Sequence, residues 1–146
     1  MPVSVTSKRR ARGLRAADVR RDAQRLLELL ELDAELSIAL VDDTEVRRLN
    51  ATYRKVDTPT DVLAFAMREG EEPLHPELLG DVVISLDTAV RQAAARRVPL
   101  ADEVRLLLAH GLLHLLGYDH ERSPAEARQM FAKQRALLRR LAAVHD

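Results

Sequence analysis

The sequence has no cysteine among its 146 residues, which excludes both disulfide bonds and thiolate metal ligands. It also lacks a long apolar run, because the longest one, residues 62–67, is far too short to span a bilayer. The arginine-rich N-terminus is not followed by the apolar segment that a secretory signal requires. We therefore expect a cytoplasmic protein, and the lack of cysteine is compatible with the reducing conditions of that compartment.

The net charge is zero, because 23 basic residues balance 23 acidic ones. Many nucleic-acid-binding proteins are strongly basic, so this balance counts mildly against a nucleic-acid partner. The charge is unevenly distributed, and a basic run near the N-terminus consists of Lys8, Arg9, Arg10, Arg12 and Arg15. Arginine can bind phosphate through two parallel hydrogen bonds, so this run is interpreted either as a phosphate-binding segment or as a solvated lead-in to the first helix.

The remaining composition is typical of a globular domain, with 47% apolar and 32% charged residues. A chain of this length is expected to form one domain with a core of its own. We find no internal repeats, low-complexity tracts or linkers. The sequence therefore predicts a single domain over residues 1–146, in which residues 1–15 form a basic strand or tail that leads into the rest.

Hydrophobic periodicity predicts nine elements in the order β-α-β-α-β-β-α-α-α. The predicted strands are residues 3–6, 36–41, 61–66 and 81–86, with a charged loop over 67–79. The predicted helices are residues 16–32, 43–54 and 87–98, one that begins after Pro99 and one that begins at Pro124. Their predicted N-caps include Asp42 or Asp43, Asp87 and Ser123. This order indicates an α+β fold, a small mixed sheet of about four strands covered by helices.

The last helix is predicted to serve as a scaffold. Apolar residues recur along it at helical spacing, which predicts a buried stripe made of Ala127, Met130, Phe131, Leu137, Leu138 and Leu141. The helix before it is apolar nearly all round, so we expect it to lie at the centre of the fold.

The chemistry of the chain is concentrated in residues 110–120, HGLLHLLGYDH, which hold three of the five histidines. His110 and His114 are four residues apart and therefore lie on one face of a helix. Gly117 can take a positive φ and end that helix, which lets the chain turn His120 back towards the other two. Three imidazole ligands leave one coordination position open, as in catalytic zinc sites. We predict His110, His114 and His120 as the ligands of one zinc ion.

Other interpretations of this motif stay open. Four leucines surround the histidines, so the segment is expected to be buried, and three core histidines satisfied by hydrogen bonds are the simplest alternative. A structural zinc site would need a fourth ligand, for which the remaining histidines are His75 and His145. Asp119 is predicted to orient a neighbour rather than to bind the metal. Three imidazoles would also accept nickel, copper or iron.

The spacing matches the H-E-x-x-H-x-x-G-x-x-H pattern of metzincin proteases, with one difference. Gly111 stands where those proteases carry the glutamate that acts as general base. A metal-activated water still needs a group that takes its proton, and the sequence does not identify one. The motif therefore supports a metal site and argues against ordinary peptide hydrolysis.

Together with the middle of the chain, this motif resembles the YbeY family of bacterial rRNA maturation endoribonucleases. Three further blocks carry the resemblance in the family's order: LNATYR at 49–54, TDVLAF at 60–65 and GDVVIS at 80–85. The resemblance covers about residues 45–140. Ala64 and Ala66 depart from it, since serine and proline are expected there, and neither is a ligand position.

The resemblance implies a zinc-dependent, single-strand-directed endoribonuclease. It further implies a role in processing the 3′ end of small-subunit (16S) rRNA and in ribosome quality control. Its partners would be an rRNA precursor, the small ribosomal subunit and assembly factors. It places the metal ligands at His110, His114 and His120 and a functionally important arginine at Arg54, so that Arg54 and His114 are the predicted catalytic residues.

Two alternative functions stay open at this point. One is a metallohydrolase of another substrate class, and the other is a non-enzymatic ribosome-assembly factor whose metal only secures the fold. From the residues alone, Arg54 is equally well explained as a solvated arginine at a helix end.

Overall fold

A computed structural model describes residues 3–66 and 78–145. Within them, four strands and five helices follow one another in the predicted order. The strands are β1 (Val3–Ser7), β2 (Glu35–Val41), β3 (Val62–Ala66) and β4 (Leu78–Ser85). The helices are α1 (Ala16–Leu29), α2 (Asp43–Arg54), α3 (Leu86–Arg96), α4 (Leu100–Leu115) and α5 (Pro124–His145). The predicted α+β class is confirmed.

The four strands form one mixed sheet in the order β1-β2-β4-β3. The pairs β1–β2 and β2–β4 are parallel, while β3 runs antiparallel to β4 and forms an edge of the sheet. Helices connect the parallel strands, as parallel pairing requires. None of the described helices combines the length and apolarity needed to cross a membrane.

The two faces of the sheet carry cores of different size. Alternate strand residues point to one face, where they join the large core with α1, α4 and α5: Leu36, Ile38, Leu40, Val82 and Ile84. The intervening residues Val41 and Val83 point to the other face and pack with Leu63 and with Val46 of α2. Helix α4 contacts α1, α3, α5, β3 and β4, so its predicted central position is confirmed.

Three predicted boundaries were wrong: the end of α1, the start of β4 and the N-cap of α3. Helix α1 ends at Leu29 because Glu31 adopts a left-handed φ of 56° and the Leu32 amide donates to the Leu27 carbonyl. Strand β4 begins at Leu78, so the predicted loop overlaps it, and residues 67–77 of that loop lie outside the described residues.

The third correction concerns the cap of α3. Its N-cap is Ser85, whose Oγ accepts a hydrogen bond from the Thr88 amide at 3.2 Å, whereas Asp87 was predicted. Strand β4 therefore runs directly into α3. Asp87 instead accepts from the Asp43 amide at 3.1 Å, which ties the start of α3 to the start of α2.

Helix α4 lies unusually close to the sheet at Gly111. A Cβ built there would lie 2.9 Å from a methyl group of Val82 and 3.2 Å from one of Val62. The helix position that carries the glutamate in metzincins thus faces β4 and β3 so closely that a side chain there would require these valines or the helix to shift. Packing explains why this residue is glycine.

We expect Gly111→Ala to destabilise the fold. Alanine favours a helix over glycine by about 1 kcal/mol, but overpacking costs about 1–3 kcal/mol, so a net loss is expected. The Val82→Ala background removes the nearest methyl groups, and there Gly111→Ala should be neutral or stabilising. Urea unfolding of the wild type, the two single variants and the double variant measures the coupling free energy between positions 111 and 82. Equal effects of Gly111→Ala in both backgrounds would contradict the close contact.

A buried carboxyl lies near the start of α4 and should make stability depend on pH. Glu103 is 1% exposed, and burial raises its pKa above the ordinary 4.5, although Arg96 lies 3.5 Å away and opposes the shift. Its Oε1 has no hydrogen-bond partner in the described part of the chain. Because the folded-state pKa is the higher one, the unfolded chain loses its proton first. The contribution of Glu103 to stability is therefore greatest below pH 4.5 and falls as the pH rises to the folded-state pKa.

We accordingly expect Glu103→Gln to gain stability relative to the wild type as the pH is raised from 4 to 7. Urea unfolding at several pH values measures the difference in the free energy of unfolding. The exposed Glu28→Gln variant is the control and should show no comparable trend. A difference that stays constant or shrinks over this pH range would contradict the effect of burial.

Candidate metal centre

The structure brings together the three histidines of the motif. His110 and His114 lie one turn apart on α4, with their Nε2 atoms 3.2 Å from each other. One nitrogen from each of the rings of His110, His114 and His120 lies within 4.8 Å of the other two. The ring centroids are 4.7–5.3 Å apart. The three imidazoles therefore form one cluster.

The turn after α4 places His120 in this cluster. Gly117 has a φ of 96°, and the Tyr118 amide donates to the Leu113 carbonyl at 3.1 Å, which closes the helix end. A Cβ at Gly117 would meet no atom of the described residues within 4 Å, so the positive φ rather than space favours glycine here. Asp119 then accepts from the Glu121 amide at 2.8 Å and holds the turn that carries His120.

The electrostatics favour a neutral His114 ring beside a charged Asp119 carboxylate. Burial, together with the neighbouring His110 and His120, lowers the pKa of His114, so at neutral pH this ring is in the uncharged form that binds metals. The hydrogen bond from the Glu121 amide, together with a smaller effect of the positive charge of Arg122, lowers the pKa of Asp119. Asp119 is not among the residues whose ligand atoms meet in the cluster.

Helix α5 covers the cluster with two side chains whose contacts sequence reasoning missed. The Gln134 Oε1 atom lies 2.8 Å from His110 Nδ1. The ring of Phe131 stacks on His110 at a centroid distance of 6.1 Å and lies 5.7 Å from His120. Phe131 was predicted as a buried residue, but it is 37% exposed because it lies over the histidines at the surface. Met130 and Leu137 are buried as predicted.

These features fit a metal ion held by three imidazoles. Nδ1 of His120 is buried and has no hydrogen-bond partner among the described residues. An unpaired buried nitrogen is costly unless a bound group, such as a metal ion, satisfies it. Two nitrogens on one tetrahedral zinc ion, at Zn–N distances of 2.0–2.1 Å, lie roughly 3.3 Å apart, close to the Nε2 separation of His110 and His114. His75 and the side chain of His145 lie outside what the structure describes.

The cluster opens onto a cavity of about 340 Å³ that Arg54 also lines. Arg54 is the last residue of α2, and its charge contributes to the lowered pKa of His114. Its side chain is exposed and forms no ion pair within residues 3–66 and 78–145. The structure thus brings the sequence-predicted arginine to the same cleft as the histidines.

A buried amide holds the chain beside Arg54. Asn50 is 5% exposed, its side-chain amide donates to the Thr58 carbonyl at 2.9 Å, and its backbone carbonyl accepts from the Val56 amide at 3.2 Å. These bonds close the turn between α2 and β3, and both ends of that turn line the cavity. Sequence reasoning assigned Asn50 no role, although a polar residue within an apolar helix face is a signal of such a bond.

The basic N-terminal run lies between β1 and α1. Arg9 forms an ion pair with Asp87 at 3.0 Å, while Arg10, Arg12 and Arg15 are exposed ahead of the helix. This arrangement is that of a lead-in segment, and binding of phosphate by the run stays a prediction.

Comparison with known proteins agrees with this architecture. A family model described as Endoribonuclease YbeY matches residues 4–142. Proteins named Endoribonuclease YbeY from Syntrophotalea carbinolica and Aquifex aeolicus are 52% and 45% identical; the matches cover 82% and 94% of this chain and 81% and 91% of theirs. The solution structure of TM1509 from Thermotoga maritima superposes with a TM-score of 0.64 at 25% identity and covers 94% of this chain and 89% of that one. The chain belongs to the YbeY family.

Proposed function

We propose that this protein is a metal-dependent endoribonuclease that cleaves single-stranded RNA during the processing of ribosomal RNA. The observation that carries the proposal is the cleft in which three clustered imidazoles and the guanidinium of Arg54 lie together. The name shared by its relatives, Endoribonuclease YbeY, supports the same activity.

The three histidines and Arg54 have separate roles in this reaction. His110, His114 and His120 would hold the metal. A metal bound there supplies a Lewis acid for a phosphoryl oxygen and lowers the pKa of a water. Arg54 binds the phosphate to be cleaved and stabilises the charge that its oxygens gain in the transition state. Since its guanidinium has no ion-pair partner in the described residues, it can engage a phosphate without first breaking an ion pair.

The proposal includes finer points, of which the rRNA substrate and the ribosomal partners rest on the family resemblance. Zinc is the proposed metal, one ion per chain, because three imidazoles around an open position are typical of catalytic zinc. The proposed substrate is the 3′ end of a small-subunit (16S) rRNA precursor, with the small ribosomal subunit and assembly factors as partners and a further role in ribosome quality control. The proposed location is the cytoplasm.

The alternative of peptide hydrolysis is disfavoured by the packing of α4. In metzincins a glutamate follows the first histidine, and here a Cβ at Gly111 would already lie 2.9 Å from Val82. Either these valines or the helix would have to shift to admit such a base. A non-enzymatic role with a purely structural metal would require a fourth protein ligand, and three residues make up the described cluster.

We expect His114→Ala to abolish metal binding and RNA cleavage while the protein stays folded. Changes next to a metal ligand commonly cost 10–100-fold in affinity, so loss of a ligand should reduce cleavage by more than about 100-fold. Metal content, cleavage of a single-stranded RNA and circular dichroism are measured on the same preparations. His145→Ala, a histidine outside the motif, is the matched control.

The outcomes of this experiment distinguish a catalytic metal site from a purely structural one. A folded His114→Ala protein that cuts RNA as well as the wild type would exclude a catalytic role for the histidines. Unfolding of the wild type on metal removal, together with no RNA cleavage when it is loaded, would instead favour the assembly factor with a structural metal.

Arg54→Ala should lower kcat by about 100–1,000-fold without changing metal content, because the transition state loses a charged donor. Arg54→Lys should restore part of the activity, since lysine keeps the charge but not the paired hydrogen bonds. The control is Arg48→Ala, an arginine of the same helix that is paired with Glu45 at 2.7 Å. Cleavage by Arg54→Ala at the rate of the control would show that this arginine is only a solvated helix-end residue.

A further inference from the structure

We infer that Gln134 is a positioning residue of the metal centre, whose side-chain oxygen fixes the tautomer of His110. In that tautomer the unprotonated Nε2 of His110 points towards His114 and His120. The inference rests on the metal site of the proposed function but not on RNA as the substrate.

The contact is buried and joins two helices. Gln134 belongs to α5 and is 7% exposed, while His110 belongs to α4. The Gln134 Oε1 atom and the His110 Nδ1 atom are 2.8 Å apart, which is the length of a good hydrogen bond. A buried amide is costly unless it is paired, so a glutamine at this position in a scaffold helix calls for a partner. His110 is that partner.

The chemistry of the two groups determines where the proton lies. An amide oxygen only accepts, so the His110 nitrogen that faces it must carry the hydrogen. A neutral imidazole has a single N–H, and Nε2 of His110 is therefore left with a free lone pair. That Nε2 atom lies 3.2 Å from His114 Nε2, which places the lone pair at the cluster where a metal would be shared.

The opposite amide orientation would have the opposite effect. If the Gln134 nitrogen donated to His110 Nδ1, the proton of His110 would sit on Nε2 and point into the cluster. A ring protonated on that nitrogen cannot be a metal ligand through it. The orientation of one buried amide thus decides whether His110 is ready to bind, which is the usual reason for a second group behind a ligating histidine.

Phe131, one turn earlier on α5, completes this support. Its ring is inclined by only 24° to that of His110 and restricts the plane of the imidazole, while Gln134 restricts its rotation. A stacked phenyl ring cannot select a tautomer, so the two contacts have separable effects. Helix α5 is therefore part of the metal centre as well as of the scaffold.

The test compares Gln134→Leu, which removes the acceptor, with Gln134→Glu, which keeps it. Gln129→Leu, an exposed position of the same helix, is the matched control. Zinc affinity is measured by competition with a chelator. The histidine tautomers of the metal-free proteins are assigned by long-range ¹H–¹⁵N NMR. We expect Gln134→Leu to lose about 10–100-fold in zinc affinity and to show His110 as a mixture of tautomers. Gln134→Glu should stay within about threefold of the wild type, and the control should be unchanged.

Either of two results would overturn the inference. One is that NMR finds the proton of wild-type His110 on Nε2. The other is that a folded Gln134→Leu protein binds zinc as tightly as the wild type. If Gln134→Leu does not fold, the wild-type tautomer and the affinity of Gln134→Glu decide, and a large loss in the latter would count against the acceptor role. A wild type that binds no zinc would refute the metal site of the proposed function, while the NMR experiment would still decide whether Gln134 orients His110.

Discussion

The close approach of α4 to the sheet is the constraint on which the rest of the site depends. At Gly111 the helix lies so close to the sheet that a Cβ would be 2.9 Å from a methyl group of Val82 and 3.2 Å from one of Val62. Gly111 lines the same cleft as His110, His114 and Arg54 at the end of α2, so this contact lies directly beside the histidines. A larger residue at 111 would push on Val82 and Val62, and any resulting shift of the helix would carry His110 and His114 with it, because close-packed cores transmit such shifts.

The same constraint separates this motif from the protease motif that it resembles. In both, two histidines one helical turn apart and a third after a glycine turn can meet at one metal. Here the helix position after the first histidine packs against Val82 and Val62, so a carboxylate-bearing side chain there would require these valines or the helix to shift. The positive charge of Arg54, which comes from another element, lies on the cleft instead. A guanidinium suits a phosphate substrate better than a peptide one.

The positions of the histidines and of Arg54 also depend on contacts made by residues outside α4. The Asp119 turn holds His120, the Asn50 bonds hold the chain beside Arg54, and Gln134 with Phe131 covers His110. None of these residues needs to touch a substrate to matter. Each removes freedom from a side chain or turn whose position the site requires, so that less conformational entropy is lost when a ligand binds.

Local patterns in the sequence determined the order of the elements, the mixed sheet and the cluster of histidines. The reason is that the relevant rules are short-range: alternation places Val82 and Val83 on opposite faces, four-residue spacing aligns His110 with His114, and Gly117 permits the left-handed turn. Tertiary structure alone decided the rest. Ser85 became a cap because β4 runs straight into α3, Phe131 became half-exposed because it lies over the histidines, and Arg54 reached the cleft because α2 ends beside β3. Gln134 faces His110 across 24 positions of sequence, a distance over which helical periodicity says which residues are buried but not which partner each buried polar group will find.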